Sequence, residues 1–237
     1  LLEEGIEFDE RDRVDMQPLD FYKRIVTDPD YPSSSQASIA DFKKVYEEVA
    51  ANGATEIIAL TVSSAMSGAF QMASEAAKLV SVPVSVVDGK SPTMSLGWQV
   101  LTAARARDAG MKVNQILPML EDLKKKLVQY VAMESLEYLQ KSGRIGNAVK
   151  WVGSVLKIRP LVSINHLSGL VEPASLSRTH KGVIDLMYRK FFEHFKGKEK
   201  LHVAVMHGNI PEEAEKLAER ICQEFNPAEL IVNITGP

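Results

Sequence analysis

Two hydrophobic periods alternate along this chain, and their alternation predicts its elements. Between residues 38 and 51 apolar side chains recur at helical spacing as Ile39, Phe42, Val45, Tyr46 and Val49. Ser38 stands at the N-cap with Asp41 three residues on, and Asn52-Gly53 supplies the stop. The run Glu56-Ile-Ile-Ala-Leu-Thr-Val62 then reads as a buried strand, followed by a helix over 68–80. Strand Val82-Pro-Val-Ser-Val-Val-Asp88, a helix over 94–109 closed by Gly110 and a helix over 115–127 continue the series. Strand and helix in strict turn imply a parallel sheet with helices on both faces, a Rossmann-like α/β arrangement that binds ligands at the carboxyl ends of its strands. Ser67 and the Asp88 to Ser91 segment fall at such ends.

From Val128 the rhythm changes. Strand Val128-Gln-Tyr-Val-Ala-Met-Glu134 leads into two short helices around Lys141-Ser-Gly-Arg-Ile-Gly146. Ile158-Arg-Pro-Leu-Val-Ser-Ile164 and Gly169-Leu-Val-Glu-Pro-Ala-Ser175 form a hairpin pattern around Asn165-His-Leu-Ser. A helix over 180–195, a strand over 202–206, a helix over 211–225 and a strand over 229–234 complete the chain. This predicts two domains, an N-terminal α/β domain over 1–127 and a C-terminal α+β domain with a mixed sheet over 128–237, with no flexible linker. The chain opens at Leu1 in an acidic, poorly patterned stretch and ends at Ile234-Thr-Gly-Pro237 directly after a strand pattern, so further residues are expected on both sides.

Composition narrows the function classes. The 237 residues are 45% hydrophobic and 25% charged, enough for a sizeable core. The net charge of −3 comes from 28 basic and 31 acidic residues mixed along the chain, which gives no footprint for nucleic acid. No apolar stretch approaches the ~20 residues that span a bilayer, although transient membrane contact stays open. The single cysteine, Cys222, lies on the apolar stripe Leu217, Ala218, Ile221, Cys222 and Phe225, which excludes a disulfide framework or a multi-cysteine metal site and suits a reducing cytoplasm.

Two serine-rich breaks carry the candidate chemistry, Pro32-Ser-Ser-Ser-Gln-Ala-Ser38 and Thr61-Val-Ser-Ser-Ala-Met-Ser-Gly68. Each ends where a helix begins. A hydroxyl-rich strand-to-helix turn gathers free N–H groups, the positive helix end and serine hydroxyls around one point, so the expected ligand is anionic. Plainer readings stand beside this one: Ser33 to Ser35, Ser38 and Ser67 as loop and capping residues, Asp88-Gly-Lys-Ser-Pro as a strand-end turn, and Arg144 as a surface ion pair. His207 reads as a loop residue, and Lys124-Lys-Lys126 as a solvated helix end. An enzyme with Ser67 as acyl nucleophile, or a phosphotransfer site, is the alternative. Against it, Ser67 lacks a Gly-x-Ser-x-Gly elbow, no histidine has an evident acidic partner, and no phosphate loop is present. No catalytic residue, metal site or cofactor is assigned.

The order Pro32-x-Ser-Ser-Gln-x-Ser38, Ser63-Ser-x-Met-Ser-Gly68, Val87-Asp88, Leu136-Glu-Tyr-Leu139, Ser142-Gly-Arg-Ile145, Leu156-Lys-Ile-Arg-Pro-Leu161 and Ser177-Arg-Thr-x-Lys181 resembles the DegV family along nearly the whole chain. The single motifs are weak and their shared order is specific. The resemblance implies a two-domain α/β lipid carrier, the fatty-acid-binding subunit of a bacterial fatty acid kinase. Such a subunit holds a long acyl chain in a tunnel between or under its domains and offers the carboxylate to a separate kinase.

Carried over by resemblance, Ser34 stands where the family has a head-group threonine, with Ser35 and Ser64 as possible additional contacts. Ser67 with the Gly68 N–H matches the family's carboxylate-gripping serine. Arg144 matches an arginine near the head group, although Ser142 replaces a glycine, and Arg178 matches a basic position facing the kinase. The chain departs from the pattern at Ala37, a proline in the family, and at Ala69, a threonine. The family's opening Thr-Asp-Ser-Thr strand and closing His-Thr-Gly-Pro-Gly segment, whose histidine helps hold the head group, are taken as absent. The nine methionines suit an adaptable tunnel lining, and equally a plain core.

Overall fold

The computed structural model describes residues 12–28, 32–151, 158–195 and 200–236. In chain order the elements are α1 (Pro18–Thr27), α2 (Ile39–Ala51), β1 (Ile57–Thr61), α3 (Ala69–Ala77), β2 (Val84–Asp88), α4 (Thr93–Asp108) and α5 (Val113–Lys124). There follow β3 (Tyr130–Ala132), α6 (Glu137–Lys141), a 3-10 turn (Gly146–Trp151), β4 (Arg159–Ile164), β5 (Val171–Ser177), α7 (His180–Glu193), β6 (His202–His207), α8 (Pro211–Phe225) and β7 (Glu229–Ile234). Every element expected from the hydrophobic pattern is present, most of them shorter at one end by a few residues. Helix α1 is additional; its amphipathic Pro18 to Thr27 lies beyond the poorly patterned opening. The opening up to residue 11, Leu156 and Lys157 of the Leu156 to Leu161 motif, and Pro237 lie outside the described residues.

The chain divides into two compact units, Leu1–Ser35 with Gly197–Pro237, and Gln36–Lys196. In the first, β6 and β7 run parallel in register from His202↔Glu229 to His207↔Ile234, and α8 packs on both. The two ends of the chain meet here, because Arg13 Nη2 donates to Ile234 O at 3.0 Å and the Tyr22 hydroxyl bonds Thr235 Oγ1 at 2.8 Å.

In the second unit β1 and β2 are parallel, pairing Ile57↔Val84 through Thr61↔Asp88. Ile58 and Leu60 of β1 pack against a buried cluster of Ala103, Ala106, Ile116 and Leu120 from α4 and α5, and α3 lies against both strands. Strands β3, β4 and β5 form an antiparallel sheet, against which α7 packs. The expected change of rhythm at residue 127 thus falls inside this unit, between α5 and β3. The strands beyond it resolve into an antiparallel sheet here and a parallel pair in the other unit.

Local chemistry accounts for the ends. Ser38 and Asp41 close a capping box on α2: the Ser38 hydroxyl accepts from Asp41 N–H at 3.2 Å, and the Ser38 N–H donates back to Asp41 Oδ2 at 2.8 Å. Gly53, at φ +95°, ends the helix. The β4–β5 turn is built on Asn165, whose Oδ1 accepts from the N–H groups of Leu167 and Ser168 at 3.0 and 3.1 Å.

The same turn buries His166, only 7% exposed, with Nε2 unpartnered among the described residues. Burial disfavours the imidazolium and pulls the pKa from 6.5 to about 4. The unfolded chain therefore takes up this proton first as pH falls, so folded stability declines from pH 6.5 to about 4. Urea unfolding of His166→Asn across that window should show an acid limb flatter than wild type by ~1–3 kcal/mol; an unchanged limb would assign the loss to another group.

Candidate functional site

The segment from Ser63 to Gly68 joins β1 to α3 as a tight turn. Ser63 is fully buried; its carbonyl accepts from the N–H groups of Met66 and Ser67 at 3.0 and 3.1 Å. Its hydroxyl accepts from Ala65 N–H at 3.2 Å and donates to Gly169 O, across the unit, at 2.8 Å. Gly169, at φ +78°, is required twice over, by its left-handed backbone and because a Cβ there would collide with Ser63 Oγ. Met66 packs its side chain on the buried cluster of Ile145, Ala148, Val162, Ile164 and Val171.

Arg144 closes the turn from the same side. Its Nε donates to Met66 O at 3.1 Å and its Nη1 to Ser142 O at 2.7 Å. This half-buried guanidinium thus stands beside Ser67 with Nη2 uncommitted among the described residues. The Ser67 hydroxyl accepts from Ala69 N–H at 3.2 Å, so Ser67 caps the first turn of α3 while its own proton stays available to an acceptor. Gly68 occupies the N-cap position with φ −73°, and its N–H has no acceptor among the described residues. A Cβ there would stand 3.2 Å from the Gln36 amide nitrogen, so the Gln36 side chain lies against this glycine. Ser64, Ser67 and Gly68 therefore lie on one turn that Arg144 bonds at Met66 O, so the turn carries a hydroxyl, amide N–H groups at a helix start and an adjoining planar cation.

A half-buried ion pair supports the other side of the turn. Asp88, at the end of β2, accepts from the N–H groups of Ser64 and Lys90 on Oδ1, at 3.2 and 2.9 Å, and holds Lys90 Nζ on Oδ2 at 2.8 Å. Burial alone would push this carboxyl up, but hydrogen bonds from the side chains and N–H groups of Lys90 and Ser64 outweigh it and hold the group below the usual carboxylate range. Lys90 takes a left-handed backbone, φ +53°, and reaches Ser64 Oγ at 3.4 Å. Behind it, fully buried Gln99 on α4 brings Nε2 to Gly89 O at 2.8 Å and to Ser91 Oγ and Ser95 O, both at 3.1 Å.

Ser34 and Ser35 are exposed and belong to the first unit, whereas Ser64, Ser67, Gly68 and Arg144 belong to the second. Arg178 is exposed between β5 and α7, whose N-cap is Thr179, accepting from Gly182 N–H at 3.0 Å. His207 Nδ1 accepts from Ile210 N–H at 3.2 Å, which makes it a loop-capping residue. Two expectations are corrected. Lys124 is not a solvated helix end: it is buried, pairs with Glu121 at 2.7 Å, and lines a groove of about 550 Å³ with Phe70, Val86, Val87, Leu117 and Pro118. Asp88 and Lys90 line the same groove. Cys222 is exposed on α8, where Ala214, Ala218 and Ile221 turn inward.

Sequence reasoning gave no individual role to Gln36 or Lys90 within their motifs and passed over Gln99. The available signal for Gln99 was a polar residue between Trp98 and Val100 at an inward helix position. For Lys90 it was an acidic residue two positions earlier at a strand end. Among the described residues no helix is long and apolar enough to cross a membrane.

Similar proteins fit this geometry. A DegV domain-containing protein of Staphylococcus aureus strain MRSA252 is 30% identical over 226 residues, covering 95% of this chain and 80% of its own. Among solved structures, a fatty-acid-binding DegV family protein from Thermus thermophilus superposes with a TM-score of 0.83 at 25% identity, over 94% of this chain and 79% of that one. A DegV lipid-binding protein from Thermotoga maritima gives 0.81 at 28% identity over 91% and 75%. DegV of Bacillus subtilis, a fatty-acid-binding protein, gives 0.82 at 26% identity over 94% and 78%. The DegV family model matches residues 4–237, and this chain belongs to the DegV family.

Proposed function

We propose that this protein binds a long-chain fatty acid, seats its carboxylate against Ser67, Gly68 and Arg144, and presents it in the cytoplasm to a separate kinase for conversion to an acyl phosphate. The observation that carries the reading is the convergence of uncommitted donors on one turn: the Ser67 hydroxyl, the Gly68 N–H and Arg144 Nη2. The relatives from Thermus thermophilus and Bacillus subtilis, which bind fatty acids, make a long acyl chain the natural owner of that carboxylate. Burying ~12–15 methylenes at ~0.8 kcal/mol each supplies roughly 10 kcal/mol before association costs, and the head-group bonds set orientation. Ser64, on the same turn, is proposed as a further head-group contact.

The proposed head-group set among the described residues is Ser67, Gly68 and Arg144. The enzyme reading is weaker, because Ser67 Oγ bonds only the Ala69 N–H among the described residues, and nucleophilic serine needs a base within hydrogen-bond reach.

Organic extraction of the purified protein followed by mass spectrometry tests the ligand class directly: a long-chain fatty acid is expected in stoichiometric amount, and an empty protein that also ignores added fatty acid would sink the reading. Ser67→Ala removes one hydrogen bond to a charged acceptor, worth ~1.5–3 kcal/mol, and a cap worth ~1 kcal/mol. Fatty-acid affinity should fall more than about tenfold, with a modest drop in melting temperature. If only the melting temperature moves, Ser67 is a cap and nothing more.

Arg178 is proposed to meet the kinase. Arg178→Glu should preserve fatty-acid affinity while acyl phosphate production with added kinase and Mg²⁺-ATP falls sharply, since charge reversal turns attraction to an acidic surface into repulsion. Lost lipid binding with unchanged kinase coupling would move Arg178 into the binding site.

A further inference from the structure

We propose that Asp88 and Lys90 set the charge of the head-group site and make it selective for a monoanionic carboxylate over a dianionic phosphate on the same alkyl chain. This rests on the head-group reading above and assigns its specificity to residues outside the anion's direct contacts.

Two cations bear on the turn between β1 and α3. Arg144 reaches it at Met66 O, and Lys90 at Ser64 Oγ. They differ in their counter-charge. Arg144 bonds only backbone carbonyls among the described residues, so its charge stays open to a ligand. Lys90 is neutralised by Asp88 at 2.8 Å, in a pair whose side chains are only 30% and 12% exposed and therefore weakly screened. The remaining charged pair on the adjoining groove, Glu121 with Lys124, is also neutral in sum. The turn thus presents one net positive charge. A carboxylate matches it, whereas a phosphate dianion brings a second negative charge toward Asp88 with no further cation on this turn among the described residues to meet it.

Asp88 cannot swing away to relieve this. Its Oδ1 is committed to the N–H groups of Ser64 and Lys90, and the second of these bonds holds Lys90 in its left-handed conformation. The mask on Lys90 is therefore fixed. An asparagine at 88 keeps the Oδ1 acceptor and removes the charge, which changes the site by one unit with little change of shape.

The test is displacement of a fluorescent fatty acid by hexadecanoate, hexadecyl phosphate and uncharged hexadecanol at about pH 8, where the phosphate is dianionic. Wild type should favour the carboxylate over the phosphate. In Asp88→Asn the phosphate should gain on the carboxylate by about fivefold or more, the effect of one nearby unit charge at intermediate screening. In Lys90→Met it should lose by a similar factor, while hexadecanol affinity stays unchanged. Should Asp88→Asn fail to fold, Lys90→Met and Lys90→Gln carry the test on a partly exposed side chain. A phosphate-to-carboxylate ratio within about twofold of wild type in the folded variants overturns the proposal. Equal losses for hexadecanol and hexadecanoate in Lys90→Met do so as well, since they mark a purely structural role. Ser67→Ala and Arg144→Met serve as the reference: if neither weakens hexadecanoate, the head-group reading has failed, and if both do while the ratios stay put, only this inference has.

Discussion

The buried hydrogen bond from Ser63 Oγ to Gly169 O ties residues 106 positions apart, and the geometry of the site depends on it. A buried hydroxyl left without an acceptor would cost ~1–3 kcal/mol, so the turn after β1 and the turn after β4 hold one another in place. Gly169 makes the approach possible by having no side chain. Met66 adds an apolar anchor on the antiparallel sheet, and Arg144 a polar one. A loop held at three points presents its donors preorganised, which reduces the ordering cost of taking up a ligand.

Charge is handled by the same economy of contacts. Asp88 neutralises Lys90 and simultaneously accepts two backbone N–H groups, so one carboxylate sets both the shape of the turn and its net charge. Gln99 supports it from beneath through Gly89 and Ser91. Anion binding at a helix start usually draws on free N–H groups and the helix dipole alone. In the proposed site a guanidinium with uncommitted donors adds direction, and the neutralised lysine is the proposed limit on how much negative charge is welcome.

The local elements were legible in the sequence because their causes are local. The stripe from Ile39 to Val49, the Ser38 to Asp41 capping box and the Asn52-Gly53 stop together define α2, and the structure starts and ends that helix where these residues place it. The hairpin around Asn165 was readable from turn chemistry, and the helix start at Gly68 from the serine-rich break before it. The expectation of an anionic ligand rests on the same hydroxyl-rich turn.

Long-range partnership was another matter. Nothing local in Ser63 distinguishes it from Ser64, yet one is buried against Gly169 and the other is exposed beside Lys90. Lys124 sits in a run of three lysines that reads as solvated, and only the packing of α5 beside β2 decides which of them is buried against apolar side chains. The meeting of Arg144 with the Met66 carbonyl joins segments 78 residues apart and crosses the change of rhythm at residue 127. The sequence by itself determined the elements from α2 onward, the Ser38 cap and the kind of chemistry available, since helix and strand periodicity and capping are set by neighbours a few positions away. Which serine, lysine and arginine share one turn was decided only by the tertiary structure, because hydrogen bonds and ion pairs between distant segments depend on how the strands and helices stack.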